Sequence, residues 1–188
     1  MNIIDNIQND VISKKDIVLS SLYTFFNDKS TLDIILPILF GESVISIRLL
    51  EWFVTNYSKK HHISYIIDKD KININIDKSV KNHLEYDKIF NVYDKYKIQL
   101  GQFNKNLFDP YTRKKRIIFY SNDKYFITTI GQLNFFKWII SNKIMDYVTM
   151  FFDDIENDMK KNDMKNNNVK KNNIKKNIKK NINNYIKL

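Results

Sequence analysis

The chain has 188 residues, a formal net charge of +10, 43% apolar and 14% aromatic residues, which is material for one domain with a real core and an appendage. It contains no cysteine, which removes disulfides, thiolate nucleophiles and thiolate metal sites together and fits a reducing compartment.

From the N-terminus, "MNIIDNIQND" is acidic and lacks a long apolar run, so no secretory signal is expected. "DVISKKDIVLSSLYTFFNDK" (Asp10–Lys29) predicts a helix capped by Asp10, with apolar residues at helical spacing. "STLDIILPILF" predicts a second helix, opened by Ser30 three residues before Asp33 in the manner of a capping box and stopped at Gly41. "SVISIRLLEWFVTNYSKK" predicts a third from Ser43, with Ile47, Leu50, Val54 and Tyr57 on one face. Arg48 and Glu51 are expected to pair at i,i+3. The most apolar region, Ile34–Val54, is interrupted by Glu42, Arg48 and Glu51. A membrane span needs about 20 largely uncharged apolar residues, so none is expected and the chain reads as soluble and intracellular.

"ISYIIDKDKININI" (Ile63–Ile76) predicts a β-hairpin turning at "DKDK", because Ile72, Ile74 and Ile76 alternate with Asn. Apolar residues at 89, 93, 96, 100, 103 and 107 then predict a long amphipathic helix, despite Gly101, that ends where Pro110 disfavours helical geometry at Asp109. "RIIFY" and "KYFITT" around "SNDK" predict a second hairpin. "TTIGQLNFFKW" (Thr128–Trp138) is a strand-to-helix corner, with Thr129 as N-cap and Gln132 completing a capping box. Gly131, in the first turn of that helix, permits close approach of another backbone or a ligand. "KIMDYVTMFFDDIENDMKK" predicts a final helix. The fold class is α+β: one mostly helical domain with two β-hairpins in the order ααα-ββ-α-ββ-αα, covering residues 1–158.

Residues 159–188 form a Lys/Asn-rich basic low-complexity tail with ten Lys and one Asp, so they hold +9 of the +10. Ile174, Ile178, Ile182 and Ile186 recur every four residues, which fits a short amphipathic helix carrying Lys175, Lys176, Lys179 and Lys180; the alternative is a disordered, solvated extension. An electrostatic arm for nucleic acid or for an anionic membrane surface is the functional reading of the same charge.

Alanine is absent, and of 31 basic residues only three are Arg. Lys, Asn and Ile all have A/T-rich codons, so much of the composition reads as genomic drift. Residues lying against that drift mark where shape or chemistry matters. Two of the three arginines fall in "FDPYTRKKR" (Phe108–Arg116), where Asp109 and Pro110 build a stiff turn. Arg113, Lys114, Lys115 and Arg116 beside Tyr111 make it the leading candidate for phosphate contact, since Arg gives planar, bidentate contacts that Lys cannot match. The competing reading pairs Arg113 or Arg116 with Asp109 or Asp123. Trp138, beside Lys137, is the candidate protein-contact anchor, with core packing as its alternative. His61, His62 and His83 have no metal-ligand spacing, and no phosphate loop, nucleophile elbow or His-Glu-x-x-His motif occurs. No catalytic residue, metal or cofactor is implied.

Three blocks carry a family resemblance: "IRLLEWFVTNYSKK" (Ile47–Lys60), "YKIQLGQFNKNLFDPYTRKKRI" (Tyr96–Ile117) and "TTIGQLNFFKWIISNKIMDYV" (Thr128–Val148). Together they resemble a conserved small protein of the nucleocytoplasmic large DNA viruses, the giant-virus group, over roughly residues 40–150. The resemblance implies an intracellular setting in an infected cell: the host cytoplasm at a viral factory, the virion, or the nucleus. That family has no established activity, so no functional residue is carried over, and the Lys/Asn tail lies outside the three blocks. The expected function is a non-enzymatic viral accessory protein that binds nucleic acid through the basic turn and tail. The alternative is a virion or assembly protein that binds another viral protein. A divergent nuclease or nucleotide enzyme ranks below both.

Overall fold

The structure, a computed structural model, describes residues 13–68, 71–74, 89–112, 115–121 and 124–167. Asp10, His83, Asp123 and the Ile174–Ile186 stripe lie outside the described residues.

Helix α1 (Lys14–Phe26) is closed by a capping box in which Ser13 and Asp16 satisfy each other's backbone N–H groups. The cap is Ser13, not Asp10. Helix α2 (Lys29–Phe40) is capped by Asp28, whose carboxylate accepts from Ser30 N at 2.9 Å, two residues earlier than the expected Ser30 cap. It stops at Gly41, as the sequence predicts: φ is +75° there, a left-handed cap that glycine adopts without strain. Helix α3 comprises Ile47–Trp52, a π turn at Phe53–Tyr57 and Ser58–His61. Its cap is Ser46, which accepts from Leu49 N at 3.1 Å, in place of Ser43.

The π turn has a readable cause in sequence. Buried positions in α3 come in pairs at 49/50, 53/54 and 57/58, a period of four residues. A regular helix would rotate such a pattern by about 40° per repeat, because it has 3.6 residues per turn. The wider π turn absorbs that drift and keeps Phe53, Val54, Tyr57 and Ser58 facing the core.

The first hairpin forms as predicted, with β1 (Ser64–Asp68) antiparallel to β2 (Lys71–Asn73). A third strand, β3 (Ile89–Asn91), pairs with the other edge of β1, giving the order β2-β1-β3. Ile89 therefore belongs to a strand and not to the helix its spacing suggests. Asn91 ends the strand and caps α4 (Val92–Phe108) by accepting from Asp94 N. Asn104 breaks α4 locally, with φ 56° and ψ 170°. The second hairpin, β4 (Ile117–Ser121) with β5 (Lys124–Thr128), pairs in full register from Ile117↔Thr128 to Ser121↔Lys124.

Helix α5 (Ile130–Ser141) is the centre of the molecule. Leu133, Phe135, Phe136 and Ile139 are fully buried and Ile130, Asn134 and Trp138 nearly so, which leaves no solvent-facing stripe along most of its length. Thr129 caps it, accepting from Gln132 N at 3.1 Å. The reciprocal half of the expected capping box is absent, because the Gln132 side chain accepts instead from the Thr128 hydroxyl at 2.8 Å. Gly131 explains itself: a Cβ there would stand 2.8 Å from the Asp109 carbonyl oxygen. Only glycine lets α5 lie this close to the end of α4, and Asn134 secures the contact by donating to Leu107 O at 2.9 Å.

The expected single final helix is two. Helix α6 (Ile144–Met150) ends at Phe151, and α7 runs over 152–167. Helix α7 crosses residue 158 unbroken, Met159 packs on the core, and one guanidinium nitrogen of Arg48 donates to both carboxylate oxygens of Asp163 at 2.8 Å. Arg48 thus ties α3 to α7 and does not form the expected pair with Glu51. A second tie joins Lys60 to Asp158; burial opposes ionisation of Asp158, but the Lys60 contact and the charge of His61 outweigh it and lower its pKa.

Candidate nucleic-acid interface

The basic turn begins where α4 ends. Asp109 leaves helical geometry with ψ 121°, and its side chain accepts from Tyr111 N at 2.8 Å, the Asx turn expected of this residue before proline. Thr112 closes the loop with its N–H on Asp109 O at 3.2 Å and its hydroxyl on Lys105 O at 2.9 Å. The carboxylate of Asp109 is therefore committed to its own turn. It forms no ion pair with Arg116, so of the competing pairings the one between these two described residues is not made. Arg113 and Lys114 lie outside the described residues, as do Lys175, Lys176, Lys179 and Lys180 of the tail.

The described part of the turn splits in two directions. Lys115 takes a left-handed backbone, φ 56°, and lines a small cleft with Lys15, Asn106, Leu107 and Ile130. Arg116 is exposed and faces a larger cleft of about 520 Å³, shared with Phe40, Tyr111, Tyr125, Ile127 and Gln132. The fold thus brings Tyr111 and Arg116 together, as the sequence suggests, and sends Lys115 elsewhere. Tyr111 is half exposed; burial of the remainder, then the charge of Glu51, raise its phenol pKa.

The second hairpin supplies what sequence reading missed. Its inner face is anchored: Phe119 is fully buried against Tyr23, stacked at 4.5 Å, and Phe26, edge-on at 6.1 Å. Ser121 donates to Phe26 O at 2.6 Å. Its outer face is bare. Ile118, Tyr120, Tyr125 and Ile127 are 52%, 61%, 72% and 65% exposed, and they pair across the strands as Ile118↔Ile127 and Tyr120↔Tyr125. The two tyrosine rings lie 6.0 Å apart. A signal was present, since "RIIFY" and "KYFIT" hold large apolar residues on both faces of a two-stranded ribbon, and a ribbon covered on one side leaves the other to solvent.

Trp138 is corrected. It is 6% exposed and packs among Phe90, Tyr96, Phe108 and Phe135 with ring centroids 5.7–6.4 Å apart. Because α5 is enclosed by other elements, the position beside Lys137 that suggested a surface anchor is interior; Lys137 itself reaches Ser21 Oγ at 2.8 Å. The His61 ring packs against Tyr57, tilted by 35° with centroids 4.3 Å apart, and His62 ends α3 in a left-handed conformation. Among the described residues no group of three His, Cys, Asp or Glu could hold a metal ion, and no helix is long and apolar enough to cross a membrane.

Comparison with known proteins bears out the resemblance and extends it. The chain is 39% identical to "Uncharacterized protein L507" of Acanthamoeba polyphaga mimivirus, an alignment covering 85% of this chain. The chain spans about 60% of that relative's length. No solved structure matches it. A family of unknown function (DUF7197) matches residues 2–187, which includes the Lys/Asn stretch that the three sequence blocks do not reach. With that match over nearly the whole chain, this protein belongs to the family of unknown function DUF7197.

Proposed function

We propose that this protein is a non-enzymatic viral accessory protein that binds nucleic acid, holding phosphates through the basic turn and the basic tail. The observation that carries the reading is the position of Arg116. It is exposed, free of any described carboxylate partner, and set on the rim of the same cleft as Tyr111 and Tyr125. The guanidinium is exposed, so its planar donors can reach phosphate oxygens. Segment 111–128 holds five cations against one acid, so its net +4 stands out from a body of residues 1–158 whose total is +1. The tail adds +9 from residues 159–188.

Replacing Arg113 and Arg116 together by Glu tests this. The variant should melt like the parent, bind DNA or RNA more weakly irrespective of sequence, and lose roughly one unit of log–log salt slope per phosphate contact removed. Stable protein with unchanged nucleic-acid binding would overturn the proposal. The bare outer face of the β4–β5 hairpin favours a second reading, an assembly protein held to another viral protein by apolar contact. Salt separates the two, because phosphate binding weakens steeply as salt rises and an apolar interface does not.

A further inference from the structure

The outer face of the second hairpin calls for an occupant. Four large side chains in register, each more than half exposed, form one continuous surface, and Phe40, 59% exposed, extends it across the cleft with Tyr111 and Arg116. Cations flank the rings. Arg116 immediately precedes β4 and shares the larger cleft with Tyr111 and Tyr125, and Lys124, on the opposite face at the open end of β5, shares a second, smaller cleft with Tyr125 and Phe40. Charge decides against two occupants. The chain's own Lys-rich tail would bring like charge onto a segment of net +4, and a second copy would set the same positive segment against itself.

Resting on the nucleic-acid reading above, we infer that this face is a stacking platform for single-stranded nucleic acid, with bases on Tyr120, Tyr125 and Tyr111 and the backbone phosphates on Arg116 and Lys124. Duplex is the poorer ligand for a physical reason. Its bases are already stacked and show only their edges in the grooves, which are read by hydrogen-bonding side chains. The Ile118, Ile127, Tyr120 and Tyr125 face offers a single polar atom per tyrosine, at the ring's far end. A base freed from its helix presents a π-face, and stacking on an exposed ring is indifferent to which base it is. Arg116 and Lys124 at the edges hold the strand while the rings take the bases.

The test compares labelled oligothymidylate and oligouridylate, about 20 nucleotides long to exceed one binding site, with a duplex of the same length. The full chain should bind single strands more tightly than duplex. Tyr120→Ala and Tyr125→Ala should each weaken single-strand binding by roughly fivefold or more, a loss typical of one stacked base. Duplex binding and the salt slope should stay as they were, and Tyr→Phe at either position should restore affinity, since stacking needs the ring and not the hydroxyl. Both tyrosines are largely exposed, so thermal melting of the alanine variants should match the parent. Equal binding of duplex and single strand, insensitive to the tyrosines but lost in the arginine double variant, would overturn the platform and leave the proposed function standing. No binding to any of the three probes would remove both. Self-association of the parent that the tyrosine variants abolish would overturn the platform in favour of a protein interface.

Discussion

Gly131 lies far from the basic turn in sequence yet packs directly on its first residue. Gly131 admits the Asp109 backbone to within 2.8 Å of where a side chain would begin, and Asp109 is the residue whose carboxylate shapes the turn. Gly131→Ala should therefore force two backbones apart and destabilise by about 1–3 kcal/mol, the usual cost of overpacking a tight contact. Urea denaturation would measure it, and an unchanged midpoint would mean that α4 and α5 are not held so closely. Thr129→Ala should cost about 1 kcal/mol, the ordinary loss for an N-cap, in the same assay. Glu51 carries a pH signature. Burial raises its carboxyl pKa above the ordinary 4.5, with a hydrogen bond from Thr55 opposing, Asp109 adding to the rise and Arg48 countering it. A carboxyl raised in the folded state binds its proton more tightly there than in the unfolded chain. Stability from this group is thus present at low pH and falls as pH climbs from 4.5 through the raised folded value. Glu51→Gln should accordingly be more stable than the parent at pH 7, with the advantage shrinking towards pH 4, as thermal melts across that range would reveal.

Among the elements, α7 redraws the boundary of the folded body. Its passage through residue 158, the seating of Met159 and the Arg48–Asp163 pair make residues 159–167 part of the domain surface and not of a tail. Residues 168–188 still carry seven Lys and no acid. A chain ending at residue 167 should melt as the full chain does and lose most of its low-salt retention of nucleic acid. A chain ending at Asp158 should melt lower. It forfeits the packing of Met159 as well as an exposed ion pair whose own worth is about 0–1 kcal/mol. Equal melting of the two truncated chains would show that 159–167 contributes nothing to the body. The β4–β5 hairpin is the other element whose role depends on its surroundings. One face is bound to α1 through Phe119 and Phe26, so rigidity is supplied from beneath while the outer face stays available.

Across the whole molecule, the net positive charge lies in segment 111–128 and in residues 159–188, leaving a net of −3 over the remaining residues. Such segregation orients an approaching polyanion and limits where it settles. Two separate basic regions should also be separable in salt titrations. The chain ending at residue 167 should keep a shallower but non-zero slope from the hairpin alone, and adding Arg116→Glu to it should reduce that slope by about one further unit. A truncated chain with no salt dependence would place all phosphate contacts in the C-terminal stretch.

Local chemistry written in adjacent residues was legible without the fold. Gly41 as a left-handed stop, the Asx turn at Asp109, both hairpins, the cap at Thr129 and the need for glycine at 131 each depend on residues within a few positions of one another. Backbone conformation is set at that range, so the sequence carries it. Helix starts slipped by a few residues at Ser13, Asp28 and Ser46, because several Ser and Asp side chains nearby can cap and packing selects among them. What the sequence could not decide was which surfaces remain uncovered. Trp138 is interior because α5 is enclosed on nearly every side, β3 exists because β1 had an open edge, and Arg48 finds Asp163 instead of the nearer Glu51. Burial and long-range pairing are properties of the assembled chain: a residue's exposure depends on elements far from it in sequence. The bare tyrosine face of the hairpin is decided in that way, by α1 taking one side of the ribbon and no described element taking the other.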